Sequence, residues 1–132
     1  MSVFVSYARA DNTLDDLVRL RKDLSGFCEV YVDDLDWPAS GLGRLESVRR
    51  GLFGASVFVA VVSENYRKTP WTAWEFGQAT LREIPKLAYL PTGRLVAEDS
   101  ADWPFDRPAY GPCHAGAGTR EPGARGGVTG SW

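Results

Sequence analysis

Short apolar runs alternate with segments of helical periodicity up to about residue 90. β-branched and aromatic residues dominate residues 3–7, 29–32 and 56–62, and apolar residues at helical spacing follow these runs. This alternation predicts a parallel sheet built from strand–helix units. The run at 56–62 is the most continuously apolar, which favours a central strand covered on both faces.

The helical segments carry their own start and stop signals. Asn12 or Thr13 is predicted to cap the first helix, and Gly26 ends it. A second helical pattern covers residues 45–53. The acidic segment between them, residues 33–41, is predicted to be a polar loop that faces solvent or a ligand.

Residues 86–90 and 94–97 are predicted to form the fourth and fifth strands. The expected fold is therefore α/β, with a central, mostly parallel sheet of four to five strands and helices on both faces. Residues 1–97 are expected to form this domain. Residues 98–132 are a Gly/Pro-rich tail, which is predicted to be partly or wholly disordered.

Length and charge narrow the functional classes. The 132 residues suffice for one such domain but not for two independent cores. The 15 basic and 17 acidic side chains nearly balance, so the charge of the chain does not indicate binding to nucleic acid or to an anionic membrane. No stretch approaches the roughly 18 apolar residues that span a bilayer, and the start of the chain does not resemble a signal peptide. A cytoplasmic protein without nucleic-acid or membrane partners is expected.

Neither the cysteines nor the histidine indicates a metal or nucleophile site. Cys28 and Cys113 lie far apart and belong to no CxxC or Cys/His cluster. His114, the only histidine, lies in the tail, which disfavours a Ser–His or Cys–His pair. The acidic segment 33–36 could hold Mg²⁺ as in phosphoacceptor domains, but no aspartate follows the third strand to be phosphorylated. No metal is expected.

A third helix is predicted, with Thr69 as its N-cap and Pro70 at its first position, and it carries a carboxylate with no local partner. At about 100° per residue, one stripe is expected to pack on the sheet: Ala73, Phe76, Gly77, Thr80 and Ile84. The opposite side holds Trp71, Glu75, Gln78 and Arg82. Glu75 has no basic residue three or four positions later, so it lacks the usual helix ion pair. This pattern suits a ligand site, although a solvated helix glutamate shares it.

Four motifs in order resemble those of TIR domains. Residues 3–11, VFVSYARAD, are similar to the FxSY signature of the first strand, and residues 30–34, VYVDD, resemble the second strand entering the BB loop. Residues 61–66, VVSENY, followed by Thr-Pro-Trp, resemble the third strand and its exit. Trp71 and Glu75 have the W-x-x-x-E arrangement of the catalytic glutamate in NAD-cleaving members. The chain thus resembles a TIR domain of flavodoxin-like fold and of the microbial NAD-cleaving type.

The resemblance implies a site between the end of the first strand, the BB loop and the helix that carries Glu75, where open α/β sheets bind ligands. It implies Glu75 as the catalytic carboxylate and NAD⁺ as the substrate, with no cofactor and no metal. The implied substrate-binding residues are Ser6, Tyr7, Ala8, Arg9, Asp33, Asp34, Trp37 and Trp71. Arg44 and Arg49 are close enough to the BB loop to meet a diphosphate.

The implied activity is that of an NAD⁺ glycohydrolase in immune or toxin-type signalling. Cleavage of the nicotinamide–ribose bond builds positive charge on the sugar, which a carboxylate stabilises. The products would be nicotinamide and either ADP-ribose or a cyclic isomer. Two alternatives remain open: a module that signals only through TIR–TIR contacts, and a nucleoside or nucleotide N-glycosidase. The implied protein partner is a second copy, or another TIR-containing or sensor protein.

The chain departs from the TIR pattern after its fourth strand. TIR domains typically finish with a fifth strand and a final helix, whereas here the fifth strand is short and no amphipathic helix follows. A truncated or irregular C-terminal layer is therefore expected.

Overall fold

The computed structural model of the chain describes residues 1–26 and 29–105. Within them, five strands form one sheet in the order β2-β1-β3-β4-β5. The strands are β1 (Ser2–Ser6), β2 (Glu29–Val32), β3 (Val57–Val61), β4 (Lys86–Tyr89) and β5 (Leu95–Ala97). β1 to β4 run parallel, and β5 pairs antiparallel with β4. The mostly parallel flavodoxin-like α/β fold expected from the sequence is confirmed.

The described helices are α1 (Leu14–Asp23), α2 (Asp33–Asp36), α3 (Arg44–Phe53) and α4 (Pro70–Leu81), with 3₁₀ turns at Arg9–Asp11 and Trp37–Ala39. Thr13 caps α1, which confirms one of the two caps predicted. Its hydroxyl accepts a hydrogen bond from the backbone nitrogen of Asp16, and the Asp16 carboxylate accepts one from the Thr13 nitrogen. This reciprocal pair is a capping box, which satisfies two backbone donors at the helix start.

The segment at 33–41 differs from its prediction as a loop. It forms the single turn of α2 and then the 3₁₀ turn at Trp37–Ala39. The Asp36 carboxylate accepts a hydrogen bond from the backbone nitrogen of Val32 at 2.7 Å, which closes the turn onto the end of β2. Asp33 is buried, with an exposed fraction of 3%.

The two faces of the sheet are covered by different helices. One face joins α1 in an apolar cluster that includes Val3, Val5, Leu17, Leu20, Leu24, Val32 and Val59. On the other face, Phe4 stacks on Phe58, whose ring meets Phe76 of α4 edge to face at 5.8 Å. Ser6 shares this second face with Phe4, because alternate residues of a strand point the same way. The end of β1 therefore directs a hydroxyl toward α4.

The end of the described chain has no helix. β5 is three residues long, and turns follow it through Asp102. Residues 1–102 form one compact unit, and a second unit begins at Trp103, whose ring contacts Phe105 edge to face. Most of the tail predicted to be disordered, residues 106–132, lies outside the described residues, as do both cysteines and the histidine. No helix in the described part is long and apolar enough to cross a membrane.

Two helical glycines, Gly51 and Gly77, allow a matched test of how closely α3 packs on Tyr31. A Cβ atom at Gly51 of α3 would lie 2.8 Å from the Tyr31 ring, whereas a Cβ atom at Gly77 of α4 would meet nothing within 4 Å. Alanine gains helix propensity of roughly 0.5–1 kcal/mol at either position. We expect urea denaturation to show that Gly77→Ala raises the free energy of unfolding by about this amount. Gly51→Ala should lower it by about 1–2 kcal/mol, and a gain in stability there would contradict the packing described.

Candidate active site

A cavity of about 330 Å³ opens at the carboxyl ends of the first strands. Its walls are formed by residues that follow β1, β2 and β3 and by the first turns of two helices: Tyr7, Arg9, Asp33, Arg44, Thr69, Trp71 and Glu75. The chain crosses from β2 on one side of β1 to β3 on the other. Such a switch point is where open α/β sheets bind ligands.

Glu75 lies in the wall of this cavity, and only 3% of the residue is exposed. Ser6, at the end of β1, donates a hydrogen bond from its Oγ to Oε1 of Glu75 at 2.7 Å. Tyr66, in the turn after β3, donates from its Oη to Ser6 Oγ at 2.8 Å. We call this arrangement the Tyr66–Ser6–Glu75 chain. It connects three segments that are distant in the sequence.

Burial shifts the titration of Glu75. Desolvation raises the pKa of this carboxyl to about 8, and the negative charge of Asp33 acts in the same direction. The hydrogen bond from Ser6 lowers the pKa, because it favours the ionised form. A positive charge brought into the cavity would favour ionisation in the same way. Glu75 is therefore suited to stabilise a positive centre.

The buried face of α4 differs from the predicted stripe. Its buried residues are Thr72, Glu75, Phe76 and Ala79, whereas Gly77 and Thr80 are exposed. The helix is thus turned by about one residue position, or roughly 100°, from the expected orientation. Phe76 belongs to both the predicted and the observed buried face of α4. The hydroxyl of Ser6 provides a hydrogen-bond partner, so a carboxylate can lie on the face that covers the sheet. Glu75 consequently points inward instead of away from the core.

An ion-pair network on Asp33 and Asp34 holds the two arginines of the cavity lining. Arg44 contacts Asp33 Oδ2 through Nε at 2.8 Å and through a terminal nitrogen at 2.6 Å. Arg9 binds Asp34 with two nitrogens, at 3.2 and 2.7 Å. Tyr7 donates from its Oη to the same carboxylate at 2.5 Å. Both guanidinium groups are thereby held at the cavity.

The titration of the network residues depends on their burial. Desolvation and, after it, repulsion from Asp34 raise the pKa of Asp33 to about 6. The hydrogen bond from the Tyr31 hydroxyl and the positive charge of Arg9 oppose this rise in the pKa of Asp33, since both favour the ionised carboxylate. Burial and the hydrogen bond to Asp34 raise the pKa of Tyr7. Its phenol therefore stays protonated near neutral pH and keeps donating to Asp34.

The residues expected to bind substrate fall into two groups. Tyr7, Arg9, Asp33 and Trp71 line the cavity. The other four do not belong to its lining: Ser6, Ala8, Asp34 and Trp37.

Each residue of the second group has a position behind the cavity wall. Ser6 and Ala8 are fully buried, and Asp34 is the ion partner of the two arginines. Trp37 donates from Nε1 to the Leu42 carbonyl, and its ring centre lies 5.7 Å from the Arg44 guanidinium carbon. These residues therefore support the wall and do not form its surface.

Two tryptophans of α4, Trp71 and Trp74, lie next to each other. Trp71 lines the cavity and stacks on Trp74, with ring centres 5.6 Å apart. Both side chains are half-buried. Stacking covers part of the apolar surface of both rings, and it leaves Trp71 available to the cavity.

Tyr66 has no counterpart among the predicted site residues, Thr69 was predicted only as the cap of α4, and Arg44 was expected only as a contact for a diphosphate. Thr69 does occupy the N-cap position of α4, but its hydroxyl donates to the Asn65 carbonyl at 2.8 Å and does not cap the helix. The strand register explains why Tyr66 lies near Ser6. Ser6 pairs with Ala60, so the segment that leaves β3 lies beside the end of β1.

The cavity is thus lined by two buried carboxylates, those of Glu75 and Asp33, and by two guanidinium groups and an indole. This arrangement can bind an anionic ligand that carries or develops a positive centre. Within residues 1–26 and 29–105, no group of three His, Cys, Asp or Glu side chains could hold a metal ion.

Residues 3–99 match a family model described as a TIR domain. No match was found among curated proteins or among solved structures. The matched range covers the five described strands, except for Ser2 at the start of β1, and every residue that lines the cavity.

Proposed function

The chain belongs to the TIR domain family, and we propose that it is an NAD⁺ glycohydrolase that cleaves the bond between nicotinamide and ribose. TIR domains act in signal transduction, and some of them are NAD-cleaving enzymes. The observation that carries the proposal is the buried carboxylate of Glu75 in the wall of a ligand-sized cavity. We further propose that the reaction serves immune or toxin-type signalling.

In the proposed reaction the bond between the ribose C1′ and the nicotinamide nitrogen breaks, and its electron pair leaves with neutral nicotinamide. The ribose is left as an oxocarbenium-like cation, which the Glu75 carboxylate stabilises at short range in a site of low polarity. Water attack on C1′ then gives ADP-ribose and a proton, whereas attack by the adenine gives a cyclic isomer. Because the leaving group is neutral, no strong general acid is required.

The remaining lining residues suit the other parts of a dinucleotide. The Trp71 indole offers a face for a planar base. Arg9 and Arg44 line the same cavity, and their guanidinium groups, which are held by Asp33 and Asp34, would meet the diphosphate. A cavity of about 330 Å³ accepts the nicotinamide and ribose, while the adenosine end would extend over the open rim.

A direct assay follows nicotinamide release from NAD⁺ by the wild-type protein, at several protein concentrations, beside Glu75→Gln. Nucleosides and nucleotides without nicotinamide form a parallel panel. We expect release from NAD⁺ only, and only by the wild type. Equal release by the variant would refute the role of Glu75, and cleavage of another base instead of nicotinamide would identify an N-glycosidase of different specificity.

Arg9 provides a test of diphosphate binding that leaves the chemistry intact. Its side chain is 57% exposed and lines the cavity. If it contacts the diphosphate equally in substrate and transition state, Arg9→Gln should raise KM for NAD⁺ about tenfold and leave kcat nearly unchanged. Arg19→Gln is the matched control, because Arg19 is similarly exposed on α1 and pairs only with Asp16 among the described ion pairs. A KM equal to that of the wild type would remove Arg9 from the binding site.

A second function, signalling through protein contacts without NAD⁺ cleavage, has its own support. TIR domains commonly self-associate or bind other TIR proteins. Leu14 and Val18 lie one turn apart on α1. Both side chains are apolar, yet the two residues are 61% and 55% exposed. Concentration-dependent assembly that Leu14→Ser abolishes, combined with no NAD⁺ turnover at any concentration, would favour this alternative.

A further inference from the structure

Tyr66 is the largest of the fully buried side chains, and nothing in the proposed reaction uses it directly. Its hydroxyl nevertheless lies only two hydrogen bonds from the Glu75 carboxylate, at 2.8 Å from Ser6 Oγ, which in turn lies 2.7 Å from Oε1. The phenol sits 60 residues from Ser6 in the sequence. Burying a polar hydroxyl in this position is costly unless it is paired, so its placement requires an explanation.

We propose that Tyr66 is a positioning residue for Glu75, fixing Ser6 as the donor to Oε1 and so holding the carboxylate toward the cavity. The inference rests on the proposed function of Glu75, and it assigns to Tyr66 a role that acts through Ser6.

The direction of the hydrogen bonds supports this role. A serine hydroxyl has one proton, which it can donate to only one acceptor at a time. Because Ser6 accepts the hydrogen of Tyr66, its own proton is free to point at Glu75. Burial raises the pKa of Tyr66 well above its ordinary value, so the phenol remains a donor wherever the domain is folded.

Tyr66 also holds the helix that carries the carboxylate. Its backbone carbonyl accepts a hydrogen bond from the hydroxyl of Thr72, which is fully buried in the first turn of α4. The side chain and the main chain of one residue thus fix both the partner of Glu75 and the start of its helix. Chains of hydrogen bonds in a buried site polarise one another, which makes the Ser6 contact stronger than an isolated one.

The other titratable groups near Glu75 are on different elements. Asp33 of α2 raises the pKa of Glu75 by its charge. Tyr7, Arg9 and Arg44 line the same cavity from the ends of β1 and the start of α3. None of them contacts Ser6 in the described hydrogen bonds, in which the Ser6 hydroxyl is bonded to Tyr66 and Glu75.

The test compares Tyr66→Phe, Ser6→Ala and the double variant. Tyr66→Phe keeps the ring, so we expect kcat for NAD⁺ to fall about tenfold through misplacement of Glu75, with KM changed less than about twofold. If Tyr66 acts through Ser6, the double variant should match Ser6→Ala. A double variant about tenfold slower than Ser6→Ala would show an independent effect and overturn the proposal. Tyr89→Phe, which removes a hydroxyl bonded to Asp23, is the control.

A second readout separates this inference from the proposed activity. The carboxyl of Glu75 is titrated by carbon NMR on protein with labelled glutamate, and its signal is identified by its loss in Glu75→Gln. Tyr66→Phe should raise the pKa of Glu75, because the donor to the ionised form is no longer held. An upward shift in a protein without turnover would support the positioning role while the proposed function fails.

An unshifted titration overturns the positioning role, whether or not the wild type cleaves NAD⁺. If the Glu75 titration is unshifted, the wild type cleaves NAD⁺ and Tyr66→Phe leaves kcat unchanged, the proposed function stands without a positioning role for Tyr66. Should Tyr66→Phe fail to fold, Ser6→Ala carries the same measurement, and an unchanged Glu75 titration in that variant also overturns the proposal.

Discussion

Glu75→Gln should release nicotinamide from NAD⁺ about a thousandfold more slowly than the wild type, the size of effect seen when one charge-stabilising group is removed from an active site. Glutamine has nearly the same volume, and its side-chain carbonyl can still accept the hydrogen bond that Ser6 donates to Oε1. The substitution therefore removes the charge while keeping the packing around the carboxylate, which is 3% exposed.

The assay belongs above pH 8, because the pKa of Glu75 is raised to about 8 and the wild-type carboxylate must be ionised. Glu46→Gln is a matched control, since Glu46 is 53% exposed on α3 and pairs only with Arg50 among the described ion pairs. This variant should retain wild-type turnover. Loss of activity in Glu46→Gln as well, or retained activity in Glu75→Gln, would contradict a specific role for Glu75.

Stability should depend on pH in a manner that Glu75 dominates. The pKa of Glu75 is about 8 in the folded protein and near its ordinary value of 4.5 in the unfolded chain. Between these two values the folded form holds a proton that the unfolded form has released, so the free energy of unfolding falls as pH rises. Below 4.5 both forms are protonated, and above 8 both are ionised, so the contribution is constant at either end.

Glu75→Gln removes this dependence, because glutamine does not titrate. Each unit of pKa difference corresponds to about 1.4 kcal/mol, so the variant should exceed the wild type by a few kcal/mol above pH 8 and match it near pH 4.5. In a domain of this size that is on the order of 10 °C in Tm.

Thermal denaturation of both proteins between pH 4.5 and 9 measures the difference curve, in which titrating groups that do not interact with Glu75 cancel. Glu46→Gln should run parallel to the wild type, since its carboxylate is exposed. Parallel curves for Glu75→Gln and the wild type would show that the Glu75 carboxyl titrates normally in the folded protein.

The two expectations for Glu75→Gln have opposite signs, a loss of activity and a gain of stability. Their common cause is a carboxylate that has been desolvated without a cationic partner: Ser6 supplies its one described hydrogen bond, and the nearest charge named among the causes of its pKa shift is negative. A folded protein that retains such a group loses stability at the site where the proposed chemistry takes place.

Local patterns in the sequence determined the elements of this fold. Apolar runs at 3–7, 29–32 and 56–62 became strands β1 to β3, and the capping signal at Thr13 began α1 as predicted. These features depend on interactions within a few residues, namely side-chain periodicity and backbone capping. For the same reason the order of helices and strands, and the family to which the chain belongs, follow from sequence motifs.

Tertiary structure alone decided the surroundings of Glu75. The face of α4 that covers the sheet differs by about one residue from its periodic pattern, because the sheet offers Ser6 as a partner for a carboxylate. Tyr66 and Ser6 are 60 residues apart, and Ser6 and Glu75 are 69 apart. Contacts over such separations depend on strand order and register, which no local pattern contains. The sequence by itself thus determined the order of the elements and the TIR family of this chain, and only the packing of three distant segments buried the Glu75 carboxylate and brought it to a cavity.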